Sequence, residues 1–136
     1  MSLGAARWID FPCSTDERGV LTAIESGSDA PFNIKRVFFL HGIRADRGGH
    51  AHRSTQQLLV PVSGAFTVAL SNGCESTTYH MTDPNRGLYV PPMTWLRLYH
   101  FTSGAVCLVL ADTYYRESAY LRNWDNFIAL QQPRQV

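Results

Sequence analysis

At 136 residues the chain is long enough to bury one hydrophobic core and short for two. Hydrophobic residues make up 45% and charged residues 17%, with a net charge of +1. That balance is globular and carries no electrostatic footprint for nucleic acid or an anionic membrane, so neither is expected as a partner.

No apolar stretch reaches the length of a membrane-spanning helix, and no basic-then-apolar start suggests a signal peptide. Cys13, Cys74 and Cys107 are odd in number and form no CxxC, so free thiols used for packing in a reducing cytoplasm are expected. Along the chain, β-rich runs cover 20–25 and 34–40. Runs 57–62 and 65–70 are separated by Ser63-Gly64, and Asn72-Gly73 is a hairpin signal because both residues tolerate positive φ. Further runs follow at 77–81 and 87–90, the latter stopped by Pro91-Pro92. Across 94–101, Trp95, Arg97, Tyr99 and Phe101 alternate with Leu96, Leu98 and His100, and 105–110 is continuously apolar. Only 117–130 has helical spacing, through Tyr120, Leu121, Trp124, Phe127 and Ile128, which predicts a helix packed on the outside. Short strands at regular intervals with turns between them predict an all-β sandwich or barrel in a single domain spanning 1–136, with a frayed tail at 131–136.

The chemistry concentrates in Arg47-Gly48-Gly49-His50-Ala51-His52-Arg53, which reads as the start of a strand. Side chains in a strand alternate faces, so His50 and His52 point the same way and Ala51 points to the other face. Two imidazoles on one face form either half of a metal site or a metal-free acid/base pair. His41, His80 and His100 lack such a setting and read as surface or packing residues.

His-x-His in one strand, then an apolar strand ending in Gly64, then Gly87-x-x-x-Pro91, resembles a cupin, which implies a double-stranded β-helix, or jelly roll. A metal-binding cupin has a glutamate where this chain has Gln57 and a third histidine where it has Leu96. An amide and a hydrocarbon in those places remove two of four ligands, so a site without metal or other cofactor is expected. The resemblance narrows with Asp16-Glu17-Arg18-Gly19-Val20-Leu21, Pro31-Phe32-Asn33-Ile34-Lys35-Arg36-Val37 and Gly87-Leu88-Tyr89-Val90-Pro91-Pro92-Met93-Thr94-Trp95. Ser103-Gly104-Ala105-Val106-Cys107-Leu108-Val109-Leu110-Ala111, Tyr114-Tyr115 and Tyr120-Leu121-Arg122-Asn123-Trp124-Asp125-Asn126-Phe127 complete the set. Together, over about 8–128, the chain resembles the nucleotide-linked sugar 3,4-ketoisomerases of the FdtA/WxcM-like type. The resemblance implies a dTDP-4-keto-6-deoxyhexose substrate, a homodimer, and a role in making deoxysugars for surface glycans.

Moving a ketone from C4 to C3 requires a base for the C3 proton and a donor for the enediolate oxygen, and histidine suits both tasks near neutral pH. The resemblance favours His52 as the main base and His50 as proton shuttle or oxygen ligand. Arg47 and Arg53 flank the histidine strand and suit a diphosphate. Arg18 resembles the arginine that related sugar-nucleotide cupins offer across a dimer interface. Trp95 is a candidate for stacking on thymine or sugar, as is Tyr99, with Arg97 beside them as a further substrate contact. Two departures stand out: Phe38-Phe39 replaces a tyrosine pair found in some members, and Leu96 replaces a histidine. The alternatives are a sugar-nucleotide epimerase, which needs a histidine–acid pair, and a non-catalytic sugar-nucleotide binding module.

Overall fold

A computed structural model describes residues 3–131. The strands are β1 (Arg7–Asp10), β2 (Cys13–Asp16), β3 (Gly19–Thr22), β4 (Arg36–Leu40), β5 (Arg47–His52), β6 (Gln57–Ser63), β7 (Phe66–Ser71) and β8 (Ser76–Met81). They continue with β9 (Arg86–Val90), β10 (Trp95–Tyr99), β11 (Val106–Ala111) and β12 (Tyr120–Leu121), and the chain closes with one helix, α1 (Trp124–Gln131). Two antiparallel sheets, ordered β1-β9-β6-β11-β4 and β12-β5-β10-β7-β8, pack face to face as a jelly roll. A two-stranded hairpin, β2-β3, stands apart from both. No described helix is long and apolar enough to cross a membrane.

Alternation explains the layers. Leu59 of β6, Val68 and Leu70 of β7, Leu96 and Leu98 of β10, and Val109 of β11 meet between the sheets. Their neighbours Leu58, Val60 and Leu110 point the other way, onto Phe11, Ala30, Phe32 and Tyr89. The first sheet is therefore covered on both faces, which is why β6 reads as a continuous apolar run rather than an alternating one. The outer face of the second sheet is covered locally by α1, where Phe127 is wholly buried against Ala51, Leu121 and Trp95. The Asn72-Gly73 turn forms as expected between β7 and β8: Asn72 Oδ1 accepts from the Cys74 and Glu75 amides, and Gly73 sits at φ +97°.

Three sequence expectations need correction. The helix predicted over 117–130 begins only at Trp124, where Asn123 Oδ1 accepts the Asn126 amide and caps the first turn. Ahead of it, Tyr120 and Leu121 form a short strand on the open edge of β5, opposite His52 and Ala51. An unpaired edge beside a preformed strand outcompetes helical spacing there. Packing also accounts for only one cysteine: Cys107 is buried, whereas Cys13 and Cys74 are exposed. Of the tail read as frayed over 131–136, Gln131 instead closes α1 and donates Nε2–H to the Met93 carbonyl, and 132–136 lie outside the described residues.

Candidate active site

The histidine strand is set in place by a glycine. Gly48 has φ +99°, and a Cβ there would lie 2.5 Å from the Leu96 carbonyl oxygen and 2.9 Å from Arg97 Cα. Only hydrogen at that position lets β5 close on β10, whose register slips between Leu96 and Arg97. From there, period two turns His50 and His52 into the space between the sheets and buries Ala51 on the opposite face. The two imidazoles stand nearly perpendicular, with centroids 5.1 Å apart. Tyr120 of β12 lies against both rings, 4.4 Å from His52 and 5.4 Å from His50.

These rings line a cavity of about 480 Å³, within the size range of small-molecule sites. Its floor is apolar, made by Phe38, Leu59, Leu96, Leu98 and Val109. Polar groups enter from Gln57, Tyr115 and Tyr120, and the charged lining comprises Arg36, Arg47 and Arg122 with one carboxylate, Asp46. Asp46 also lies 3.8 Å from Arg97, and Arg122 is held by Glu117 at 3.0 Å. Arg36 stacks over Phe38 and Tyr115, at 4.3 and 4.9 Å from the ring centroids. Tyr115 in turn donates its hydroxyl to Glu117. The resulting excess of guanidinium charge suits a phosphoanion.

Burial pushes the His52 imidazole down to about 4, helped by the charges of His50, Arg36 and Arg122. His50 is lowered as well, first by burial and then by Arg122, against a hydrogen bond to the Gly48 backbone that favours its protonated form. Both rings are therefore neutral near pH 7. A neutral imidazole accepts at one nitrogen and donates from the other, so the pair can take a proton from carbon and give one to oxygen. Gln57 contributes a buried amide beside them, 3% exposed. Among the described residues no group of three His, Cys, Asp or Glu side chains converges on a metal position. The site's donor set for such an ion is two imidazoles, short of the three protein ligands common in metal sites.

Of the residues singled out in the sequence, the fold brings His50, His52 and Arg47 to this cavity. Arg53 lies in a separate surface basin with Lys35 and Arg116. Arg18 is at the exposed tip of the β2-β3 hairpin, paired with Asp16 at 2.6 Å. Trp95 faces away from the cavity onto Trp124 and Phe127, and Arg97 shares that outward face, because Leu96 and Leu98 take the inward positions of β10. Tyr99 follows the same outward phase, with Arg97 over its ring at 5.7 Å. The sequence reading missed Arg36, Tyr115, Tyr120 and Arg122 as lining groups. Their only signal is membership of the motifs Lys35-Arg36-Val37, Tyr114-Tyr115 and Tyr120-Leu121-Arg122, since they come from three separate segments.

Comparison with known proteins finds chains of similar sequence and fold. The family model described as FdtA, WxcM-like, C-terminal matches residues 5–132. A curated relative from Aneurinibacillus thermoaerophilus, TDP-4-oxo-6-deoxy-alpha-D-glucose-3,4-oxoisomerase, is 40% identical over 121 residues, 88% of this chain and 87% of that protein. A histidine-to-asparagine mutant of the 3,4-ketoisomerase QdtA from Thermoanaerobacterium thermosaccharolyticum, solved in complex with TDP-4-keto-6-deoxyglucose, is similar with TM-score 0.90 and 36% identity over 93% of each chain. The TDP-quinovose 3,4-ketoisomerase WlaRB from Campylobacter jejuni gives TM-score 0.88 and 33% identity, covering 92% of this chain and 98% of its own.

Proposed function

The chain belongs to the FdtA, WxcM-like family, and from that premise we propose that His52 and His50 move the ketone of a TDP-linked 4-keto-6-deoxyhexose from C4 to C3. The activity is that of a sugar-nucleotide 3,4-ketoisomerase. The observation that carries the residue roles is the pair of same-face imidazoles in one cavity with a cationic rim.

In the proposed sequence, His52 takes the proton from C3 and becomes an imidazolium. The C–H electron pair forms the C3–C4 double bond, and charge collects on the C4 oxygen, where an N–H of His50 donates. The C3 hydroxyl gives up its proton, the C4 oxygen gains one, and His52 returns its own proton to C4, leaving the ketone at C3. Arg36, Arg47 and Arg122 hold the diphosphate and stabilise the negative charge that builds up on the enediolate. The substrate's anionic charge also offsets the effect of Arg36 and Arg122 on His52, so the base gains proton affinity when the site is filled. Phe38 and Leu96 supply no proton, so in this reading the transfers fall to the two histidines, with Tyr115 and Tyr120 the hydroxyl-bearing side chains beside them.

A homodimer completes the proposal. Val20 and Leu21 on the hairpin are 56% and 66% exposed, and Val37 and Phe39 on the sheet-edge strand β4 are 56% and 57% exposed. A second copy burying these apolar groups is the economical cover for them, and it gives Arg18 a partner's cavity to reach.

Proton NMR of TDP-4-keto-6-deoxyglucose with EDTA-treated protein in D₂O tests the reading. Loss of the C3 proton with appearance of a 3-keto product is expected. Exchange at C5 as well points to an epimerase, and binding without exchange points to a non-catalytic module; either result refutes it.

A further inference from the structure

His52 and Gln57 are 6% and 3% exposed, and each keeps one buried polar atom without a hydrogen-bond partner among the described residues: Nε2 of His52 and Oε1 of Gln57. The two atoms are complementary. Oε1 can only accept, and Nε2 is a donor in one of the two neutral tautomers of the ring. Leaving both unpaired is costly in a packed interior, so a buried pair of this kind calls for a shared partner. The two side chains also line a second, small cavity of about 10 Å³, which they share with Thr55, Thr113, Arg36 and Tyr120. The hydroxyls of Thr55 and Thr113 lie 2.7 Å apart. A space of that size holds a single water, and a buried water is stable where two to four polar groups surround it.

We propose that this cavity is a one-water site behind His52, and that through it Gln57 acts as the positioning residue for the catalytic histidine. The water accepts from His52 Nε2–H and donates to Gln57 Oε1, with its second proton on a threonine hydroxyl. His52 is thereby held as the Nε2–H tautomer, and Nδ1 is left to take the substrate proton. An amide suits this task better than a carboxylate, since it fixes the tautomer without adding a charge that raises proton affinity. The charged and titratable groups around the ring are His50 on β5, Arg36 on β4, Arg122 and Tyr120 at β12, and Arg116 just before it. None of them is a carboxylate, and Tyr114, which also lines the small cavity, adds only a phenol. The inference rests on the ketoisomerase reading only for the role of Nδ1 as base.

The test begins on substrate-free protein, by long-range ¹H–¹⁵N correlation of ¹⁵N-histidine-labelled material near neutral pH. The expected result is His52 as a single Nε2–H tautomer. In Gln57→Leu the tautomers mix and kcat falls at least about tenfold while KM moves little. In Gln57→Glu the new carboxylate favours the imidazolium, so the acid limb of kcat/KM moves to higher pH. Thr55→Val gives a weaker change in the same direction as Gln57→Leu. An Nδ1–H tautomer in the unmodified protein overturns the proposal. So does an unchanged tautomer and pH profile in folded Gln57→Leu and Gln57→Glu. Because the tautomer is read without turnover, an Nε2–H ring in a protein that does not isomerise the sugar refutes the ketoisomerase reading alone.

Discussion

The depressed proton affinity of His52 makes folding stability depend on pH in a way that a single substitution isolates. In the unfolded chain the imidazole titrates near 6.5, and in the folded protein near 4. Between those values the unfolded state binds more protons than the native one, so acid pulls the equilibrium toward unfolding. The stability that depends on a neutral His52 is therefore complete above about pH 6.5 and is lost as pH falls from there toward 4. A difference of about 2.5 pH units corresponds to about 3 kcal/mol in full, of which roughly 2 kcal/mol is gone by pH 5. His52 is 6% exposed, so solvent screening takes little from this figure. Urea unfolding of the protein and of His52→Asn at neutral pH and near pH 5 measures it. The substituted chain starts less or equally stable at neutral pH but loses roughly 2 kcal/mol less on acidification. Parallel losses in the two proteins would refute the reasoning, because the other titrating groups are present in both and relief of the His50–His52 repulsion only lessens the loss in the variant further.

Three further outcomes follow from the geometry. Gly48→Ala costs about 2–4 kcal/mol, since a Cβ would stand 2.5 Å from the Leu96 carbonyl in addition to the strain of positive φ; Gly49→Ala, with open space around its Cβ, costs only about 1–2 kcal/mol, and thermal unfolding that reverses this order contradicts the account. Phe127→Ala removes a wholly buried ring and costs about 3–5 kcal/mol in urea unfolding, with the near-UV signal of Trp95 weakened because α1 no longer seats on it. If Arg18 serves a partner's cavity, mixing inactive Arg18→Ala and His52→Asn proteins restores activity in mixed dimers, toward one working site in two; no recovery after subunit exchange counts against that placement.

The fold was legible where chemistry is local. Apolar and alternating runs bounded by turn residues located the strands from β6 to β11, and Asn72-Gly73 located their β7–β8 hairpin. Same-face histidines required only the period of a strand. What stayed hidden depended on distance in sequence. β3 overlaps the β-rich run 20–25, but its partner β2 is exposed throughout and carries no apolar pattern, so the hairpin the two form around Gly19, at φ +136°, did not show. Tyr120 and Leu121 have side chains at helical spacing, and only the vacant edge of β5, set some seventy residues earlier, draws them into a sheet. Trp95 looked like a stacking platform because its alternation with Leu96 does not say which face of β10 looks inward. That phase is decided by α1, which supplies Trp124 and Phe127 for Trp95 to pack against.

Phe38 and Leu96, which stand where some members of the family the sequence resembles carry a tyrosine and a histidine, bear on how the histidine pair works. Phe38 and Leu96 both line the cavity, so each replaces a polar group with hydrocarbon on its floor. That change removes proton donors and also withdraws solvation from the imidazoles, and burial is the first cause of the low proton affinity of both His50 and His52. A base with such a low affinity is weak in the empty protein, yet it is wholly in its neutral, proton-accepting form at physiological pH. Charge then decides when it becomes effective. The groups that disfavour His52 imidazolium after burial are His50, Arg36 and Arg122. The two arginines are also the ones an anionic sugar nucleotide would neutralise, and an enediolate forming beside the ring supplies the counter-charge that the empty cavity lacks. On the proposed mechanism the apolar floor and the cationic rim thus act together: the first keeps the histidines unprotonated while they wait, and the second ties their basicity to the arrival of the substrate.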